Sequence, residues 1–137
     1  MEVVEMVLSG KVNKNLVVQI NACGGRAVGI SAKDACTVIG RRIRGLGLVG
    51  EPDKIDCDLL QTLVKSGFIP VVSSVGQDRR GTALNFNADT LASCIAIVLG
   101  AEKLIFLTYV PGVLNKEKTF IPEIKISEIK KLNRDGI

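Results

Sequence analysis

The amino-acid sequence predicts an α/β protein with a mostly parallel sheet. Three observations predict it: an apolar run that reads as a strand over 68–75, a nearly all-apolar helical run over 89–99, and a second strand over 103–110. Strand, helix and strand in this order form a βαβ unit, whose strands lie parallel and whose crossover is right-handed. Both strands are continuous apolar runs, which is typical of strands buried on both faces.

The segment before this unit predicts a long helix, a short strand and a second helix. From 2 to 22 the apolar residues recur on one helical face, and Gly10 within that pattern indicates a close helix contact. A turn then leads into a strand over 27–31. Asp56 is predicted to cap the second helix, which Gly67 ends.

The two ends of the chain do not read as domain ends. The chain opens inside a helical pattern with no capping residue before it. Ser127 is predicted to cap a last helix over 127–134, and the chain closes on "RDGI", where a turn begins. A single βαβ unit also leaves sheet edges uncovered. We therefore expect a piece of a larger domain.

Composition and charge predict a soluble globular protein that binds neither nucleic acid nor membrane. Of the 137 residues, 47% are hydrophobic and 23% are charged, which is ordinary for a single globular domain. The apolar runs are far shorter than the roughly 20 residues that a bilayer helix needs. The net charge is +4, but the basic clusters at 41–44 and 78–80 contain no aromatic residues, which argues against a nucleic-acid interface.

The cysteines and the absence of histidine exclude several kinds of site. There is no C-x-x-C motif and no histidine, so zinc-finger sites and an imidazole base are excluded. We expect reduced thiols at all four cysteines: Cys23, Cys36, Cys57 and Cys94.

The stretch "GLGLVG" at 45–50 matches the glycine pattern of dinucleotide-binding loops. That pattern binds a pyrophosphate only between a strand and a helix N-terminus. Here it is followed by "EPDKID", in which Pro52 prevents an immediate helix. A glycine-rich strand or hairpin is therefore predicted instead.

The stretch "ALNFNADT" at 83–90 is the candidate site. It places Asn85, Asn87 and Asp89 on alternate positions, just before a helix. Ligands of parallel sheets bind beside the N-termini of such helices, where free amides favour an anion. Asparagine amides can bond both an amide and a carboxylate, and Asp89 could hold an ammonium group or a metal ion. The alternative is that Asp89 or Asn87 only caps the helix.

The stretch "NFNADTLASCIAIVLGAEKLIFLTYVPGVL" resembles the N-x-N-A-D…G-A-x-K-L-I-x-L-T-D-V-x-G-[IV]-L signature of N-acetylglutamate kinases, within the amino acid kinase family. The blocks "MEVVEMVLSGKVNKNLV", "INACGGRAVGISAKDA", "GLGLVGEPDKID" and "GFIPVVSSVG" are similar to that family in the same order, so the likeness covers essentially the whole chain.

The resemblance implies a fold, a reaction and partners. The fold is a three-layer α/β/α sandwich with a mostly parallel sheet, of which this chain is the central part. The reaction moves the γ-phosphoryl group of ATP, with Mg²⁺ held mainly by the nucleotide, to the γ-carboxylate of N-acetyl-L-glutamate in arginine biosynthesis. The implied location is the cytoplasm or the plastid stroma. Implied partners are a second copy through the helix 2–22, and arginine or a PII-type regulator.

The resemblance also assigns roles residue by residue. Asn85 and Asn87 match substrate-binding positions, and Asn87 is also expected to shape the loop. Asp89 matches the catalytic aspartate that orients two lysines around the phosphoryl group. No metal ligand from the chain is implied. The ATP-binding loop is implied at Thr108, Tyr109, Val110, Pro111, Gly112, Val113 and Leu114.

Departures from the family pattern leave alternatives open. Tyr109 stands where the family has an aspartate, and Ala32 and Ala35 stand where it usually has glycine, so we expect a strained turn there. Both lysines of the family lie outside the matched stretch, so the 137-residue chain alone is expected to be inactive. The alternatives are a non-catalytic fragment or paralogue acting as a binding or oligomerisation module, and another amino acid kinase of the glutamate 5-kinase or uridylate kinase type.

Overall fold

A computed structural model of the chain describes residues 1–134. It divides into two compact units, Met1–Leu104 and Ile105–Ile137. In chain order the helices and strands are α1 (Glu2–Glu5), a π-helical segment (Met6–Val12), α2 (Asn13–Ala22), β1 (Ala27–Ser31), β2 (Val38–Arg42), β3 (Val49–Ile55), α3 (Asp58–Lys65), β4 (Ile69–Ser73), β5 (Val75–Gln77), β6 (Ala83–Phe86), α4 (Ala88–Leu99) and α5 (Ile126–Arg134). No helix among residues 1–134 has the length and hydropathy needed to cross a membrane. The turn predicted at "RDGI" lies largely outside the described residues.

The predicted N-terminal helix is confirmed from Glu2 to Ala22, but its middle is π-helical rather than α-helical. Three polar side chains spaced four residues apart reach the rest of the unit. Glu5 accepts a hydrogen bond from Lys33 at 2.7 Å, Ser9 Oγ lies 2.7 Å from Ser73 Oγ, and Asn13 Nδ2 donates to Val71 O at 2.7 Å. In an α-helix, positions four apart drift by about 40° per step, and the wider π turn reduces this drift.

The parallel sheet of the first unit consists of β1 and β4, which confirms the α/β class. The two strands pair in register from Ala27 opposite Ile69 to Ser31 opposite Ser73. Asn13 is 2% exposed, and its amide also donates to Ile30 O, so one side chain joins the main chains of both strands.

The other four strands form a closed barrel in the order β2-β3-β6-β5, which the sequence did not predict. Within it β3 and β6 run parallel, whereas β5 and β6 run antiparallel. The stretch "GLGLVG" lies in the hairpin between β2 and β3, as predicted. A dinucleotide fingerprint would instead need a helix after the loop.

The interior of the barrel is filled by the ring of Phe86, which is 2% exposed. Three glycines, one from each of the other strands, face this ring. A Cβ atom at Gly50 would lie 2.9 Å from Phe86 Cε1, and a Cβ at Gly40 or Gly76 would overlap the ring. None of these glycines has a positive φ, so what they supply is space. The buried cluster around Phe86 includes Ala32, Val38, Leu84 and Leu91.

The prediction of a strand over 103–110 is wrong, and the predicted βαβ unit is therefore wrong as well. Residues 103–110 are not in a strand, and Leu107 and Tyr109 are almost fully exposed. An apolar run becomes a strand only when it finds an edge with free amide and carbonyl groups, and within the described residues none pairs with it. The strand predicted over 68–75 is divided at Ser74 into β4 and β5, and Ile69 is 45% exposed, so its burial on both faces is only partial.

Of the predicted helix ends, the stop at Gly67 is confirmed and the two N-caps are wrong. The N-cap of α3 is Cys57, which makes no side-chain capping bond, and Asp56 lies one residue before it, where its Oδ1 accepts from the amide of Asp58 at 3.1 Å. Ser127 does not cap α5, because that helix begins at Ile126 and the Lys125 amide donates to Glu128 Oε2 instead. The left-handed glycines that follow α3 and α4 are Gly67 and Gly100, with φ of 78° and 62°.

Candidate functional site

The three candidate residues of "ALNFNADT" lie together at the junction of β6 and α4. Asn85 lies within β6, one of the four strands of the barrel. Asn87 is the N-cap of α4, and Asp89 lies in the first turn of that helix. The strand that leads into the site is therefore β6, and not the strand over 68–75 that the sequence predicted.

Asn85 carries a buried acceptor that has no donor. The residue pairs with Val49 of β3 on one side and with Val75 of β5 on the other. Its amide donates to Leu48 O at 2.9 Å, so its main chain is fixed. Its side-chain Oδ1, by contrast, is buried without a hydrogen-bond partner. Such an atom costs about 1–3 kcal/mol, which a donor on a bound ligand would recover.

Asn87 caps α4. Its Oδ1 accepts from the amide of Thr90 at 2.9 Å and from the Thr90 hydroxyl at 3.1 Å. The structure thus answers the question of the cap: the carboxylate of Asp89 does not cap α4, because Asp89 lies two residues inside the cap. The expectation that Asn87 bonds the main chain at this junction is confirmed, and both of its hydrogen bonds within residues 1–134 are made by Oδ1.

Asp89 is exposed at the positive end of α4. Its main-chain oxygen accepts from Ser93 Oγ at 2.8 Å, whereas its carboxylate makes no hydrogen bond or ion pair within the described part of the chain. The capping bond of Asn87 uses the amide of Thr90, which leaves the amides at the start of α4 directed at the same region. An exposed carboxylate beside such amides is placed to hold cationic groups next to a bound anion.

The predicted ATP-binding residues belong to the second unit, which is described by itself. Thr108 Oγ1 accepts from the amide of Val110 at 3.2 Å, and the phenol of Tyr109 is fully exposed. Gly112 has a φ of 133°, and a Cβ there would meet the ring of Phe120. Leu114 makes an isolated antiparallel bridge to Phe120.

The strain expected in "SAKDAC" is confirmed. Ala35 and Cys36 have φ of 50° and 53°, in the left-handed region that favours glycine. Asp34 holds the turn, because its Oδ2 accepts from the amide and the hydroxyl of Ser31 at 2.6 and 2.9 Å. Ala32, the other alanine, is fully buried in the core.

An apolar groove of the first unit does not contain the candidate residues. It has a volume of about 520 Å³ and lies between the N-terminal helix, β4 and α4. Its lining is mostly aliphatic, so a phosphate or a dicarboxylate would find little compensating charge there. The β6–α4 junction is therefore a better binding site for a phosphate or a dicarboxylate than the groove is.

The cysteines and the remaining acidic side chains form no second candidate site within residues 1–134. All four thiols are free, and burial raises the pKa of the Cys57 thiol. The described residues contain no group of three or more acidic or thiol side chains that could hold a metal ion. At the far end of β6, the amide of Thr82 holds the pKa of the Asp78 carboxyl below its usual value, with a smaller contribution from the amide of Arg80.

Sequence reasoning missed the ring of Phe86 and its three glycines. A usable signal was present, since a glycine inside a strand often marks a close approach of another group. It was not recognised because β2, β3, β5 and β6 are short and their pairing is not visible in the sequence.

Comparisons with known proteins give one consistent family. A model described as the amino acid kinase family matches residues 1–137. The chain is 50% identical over 133 residues to an acetylglutamate kinase of Endomicrobium trichonymphae, covering 97% of this chain and 53% of that protein. It is 51% identical over 142 residues to a chloroplastic acetylglutamate kinase of Arabidopsis thaliana, covering 99% and 41%. The chain thus spans about half the length of the curated relatives it matches.

Solved structures agree in fold. A protein of Streptococcus mutans UA159 superimposes with a TM-score of 0.83 at 27% identity, covering 96% of this chain and 54% of that one. An N-acetylglutamate synthase of Neisseria gonorrhoeae superimposes with a TM-score of 0.61 at 23% identity, covering 80% and 27%, which reflects a shared fold alone.

Proposed function

Because the chain belongs to the amino acid kinase family, we propose that it forms the central, substrate-binding part of an acetylglutamate kinase. In the proposed reaction, a γ-carboxylate oxygen of N-acetyl-L-glutamate attacks the γ-phosphorus of ATP. The bond from that phosphorus to the β–γ bridging oxygen breaks, ADP leaves, and an acyl phosphate is formed. Such transfers depend on positioning and on neutralising charge, and they need no covalent intermediate with the protein.

The observation that carries the proposal is the buried, unpartnered Oδ1 of Asn85. A neutral N–H donor of a ligand would satisfy it without bringing a second charge into a buried position. The acetamido N–H of an N-acetylated amino acid is such a donor. The relatives at 50% and 51% identity are named as acetylglutamate kinases, which supports the same substrate.

Asn87 and Asp89 take different duties in this proposal. The Oδ1 of Asn87 is occupied by the cap of α4, so its Nδ2 group is the part that can bind substrate. The exposed carboxylate of Asp89 orients cationic side chains around the transferred phosphoryl group, where charge changes most during the reaction. These groups act at one helix N-terminus, which also favours the anionic acceptor.

Nucleotide binding by the segment from Thr108 to Leu114 is part of the proposal. ATP would bring Mg²⁺ on its own phosphates, where the ion neutralises charge. The described residues assemble no protein site for that ion, so no step is assigned to it. Tyr109, where the family pattern has an acid, favours one alternative: a non-catalytic paralogue that binds acetylglutamate without transferring phosphate.

The test is an assay of the protein as its gene encodes it, with ATP and each of three acceptors: N-acetyl-L-glutamate, L-glutamate and UMP. Trapping of the acyl phosphate with hydroxylamine is expected with the first acceptor only. Asn85→Ala should raise the KM for acetylglutamate at least about tenfold with a nearly unchanged kcat, as expected when one hydrogen bond is lost from ground and transition states alike. Binding of acetylglutamate without turnover would select the non-catalytic alternative, and turnover of L-glutamate or UMP would select another kinase of the family.

We further propose a second copy of the chain as a partner. The N-terminal helix exposes a row of apolar residues, and Val3 and Val18 are 67% and 65% exposed. A Cβ at Gly10 would meet nothing within 4 Å, so a partner could approach closely there. Light scattering of the wild type and of Val18→Asp tests this, and an unchanged mass would refute it. Control by arginine or by a PII-type protein, and a location in the cytoplasm or the plastid stroma, remain proposals by likeness alone.

A further inference from the structure

We propose that Phe86 is a positioning residue that fixes Asn85 for the substrate, acting through the three glycines that surround its ring. This inference rests on the proposed function of Asn85. It assigns to Gly40, Gly50 and Gly76 a role in substrate affinity, although none of them lies at the β6–α4 junction.

The ring of Phe86 is held from three directions. A Cβ at Gly76 would overlap Phe86 Cε2, a Cβ at Gly40 would overlap Cε1, and a Cβ at Gly50 would lie 2.9 Å from Cε1. Each of these glycines comes from a different strand of the closed barrel. Because the ring fills the space that three side chains would otherwise take, its rotation about the axis of β6 is tightly limited.

The orientation of Phe86 sets the orientation of Asn85. Successive side chains of a strand point to opposite faces, so a ring fixed inside the barrel directs the preceding side chain to the other face. The main chain is held at the same two residues, since Asn85 N donates to Leu48 O and Phe86 N donates to Ser74 O, both at 2.9 Å.

The unpartnered Oδ1 of Asn85 stays buried only if β6 is prevented from rotating. Its Oδ1 is buried and unpartnered, so a small rotation of β6 toward water would be favourable in the free protein. Water or a neighbouring donor would then compete with the substrate for this oxygen. The tightly packed ring of Phe86 prevents that rotation and keeps Asn85 Oδ1 in the orientation that the ligand needs. Such pre-organisation raises the affinity for acetylglutamate.

The experiment uses the protein as its gene encodes it and measures KM for acetylglutamate and kcat separately. The variants are Gly76→Ala, Asn85→Ala, and the two combined. Val64→Ala on α3 is the control, because Val64 is 57% exposed and lies outside the candidate site, the barrel and the proposed contact with a second copy. Gly76→Ala should raise KM about tenfold or more with kcat within about threefold, as expected for a lost ground-state contact. In the Asn85→Ala background, Gly76→Ala should add no more than about twofold.

A rescue variant separates positioning from general damage to the core. Phe86→Leu in the Gly76→Ala background removes the overlap, so KM should fall back toward the wild-type value. A KM unchanged by Gly76→Ala while Asn85→Ala raises it would overturn the positioning role and leave the proposed function intact. Effects of Gly76→Ala and Asn85→Ala that multiply fully would also overturn it. If Asn85→Ala itself leaves acetylglutamate binding unchanged, both the proposed function and this inference fail.

Discussion

The two segments that carry candidate ligand residues are held in opposite ways. The junction from Asn85 to Asp89 begins in β6, which pairs with a strand on each side, and continues into α4, which the Asn87 side chain caps. The segment from Thr108 to Leu114 has an exposed tyrosine, one local side-chain bond and an isolated bridge. The first segment is held by strand pairing and by a helix cap, whereas few bonds hold the second. Under the proposed function, affinity for acetylglutamate and affinity for nucleotide should therefore respond to different kinds of mutation.

The largest expected difference concerns two aromatic residues, one in each segment. Phe86→Ala leaves a cavity inside the barrel and should lower the free energy of unfolding by about 3–5 kcal/mol. Tyr109→Ala removes a fully exposed ring and should change it by less than about 0.5 kcal/mol. Urea unfolding of both variants measures this. Comparable losses would mean that the segment around Tyr109 is packed as firmly as the barrel.

The next effect is on catalysis. Asp89→Asn keeps the size of the side chain but removes its charge, so kcat should fall by ~10²-fold or more if Asp89 orients charge in the transition state. Stability should change by less than about 1 kcal/mol, because only an interaction with the helix dipole is lost and Asn87 remains as the cap. Steady-state kinetics beside urea unfolding measure both quantities. Full activity in Asp89→Asn would remove the residue from the catalytic proposal.

A smaller effect compares the two local side-chain bonds. Asn87→Ala removes the cap of α4 and should cost about 1 kcal/mol of stability, whereas Asn87→Asp should retain most of it. Thr108→Ala removes an exposed bond to the amide of Val110 and should cost less than about 0.5 kcal/mol. Thermal unfolding at neutral pH is sufficient here. A larger loss for Thr108→Ala than for Asn87→Ala would reverse the comparison.

The smallest effect concerns the turn before β6. Hydrogen bonds from the amides of Thr82 and Arg80 hold the pKa of Asp78 below its unfolded value of about 3.9. The carboxylate therefore stabilises the folded protein above that pH, and the contribution is lost as pH falls through the folded pKa. The difference in stability between wild type and Asp78→Asn should be constant above about pH 5 and shrink below it. A difference that does not change with pH would show that the charge is irrelevant to the turn.

Sequence reasoning succeeded where the determinants are local. The extent of the N-terminal helix, the glycine that follows α3 and the position of β1 follow from periodicity and turn chemistry over a few residues. It failed where the outcome depends on a distant partner: the apolar run 103–110 is not a strand, and the four short strands of the barrel were not expected. In the candidate site, the three residues were predicted as a group, but only the structure shows which of them caps α4. Asn87 and Asp89 are equally good capping residue types, and their register relative to α4 decides between them.

The π-helical segment Met6–Val12 bears on how the N-terminal helix tolerates changes of length. A π turn holds more residues than the α turn it replaces, as if the helix had gained one residue by insertion. Glu5 before the segment reaches Lys33, and Asn13 after it reaches Val71, so the extra residue is absorbed locally. The rest of the helix, Asn13–Ala22, is α-helical and contains no π turn that could absorb an extra residue. One residue inserted in Asn13–Ala22 would turn Asn13 by about 100° relative to the end of the helix and take its amide away from both strands. Insertions and deletions in this helix should therefore destabilise the fold little when they fall before Asn13, and strongly when they fall after it.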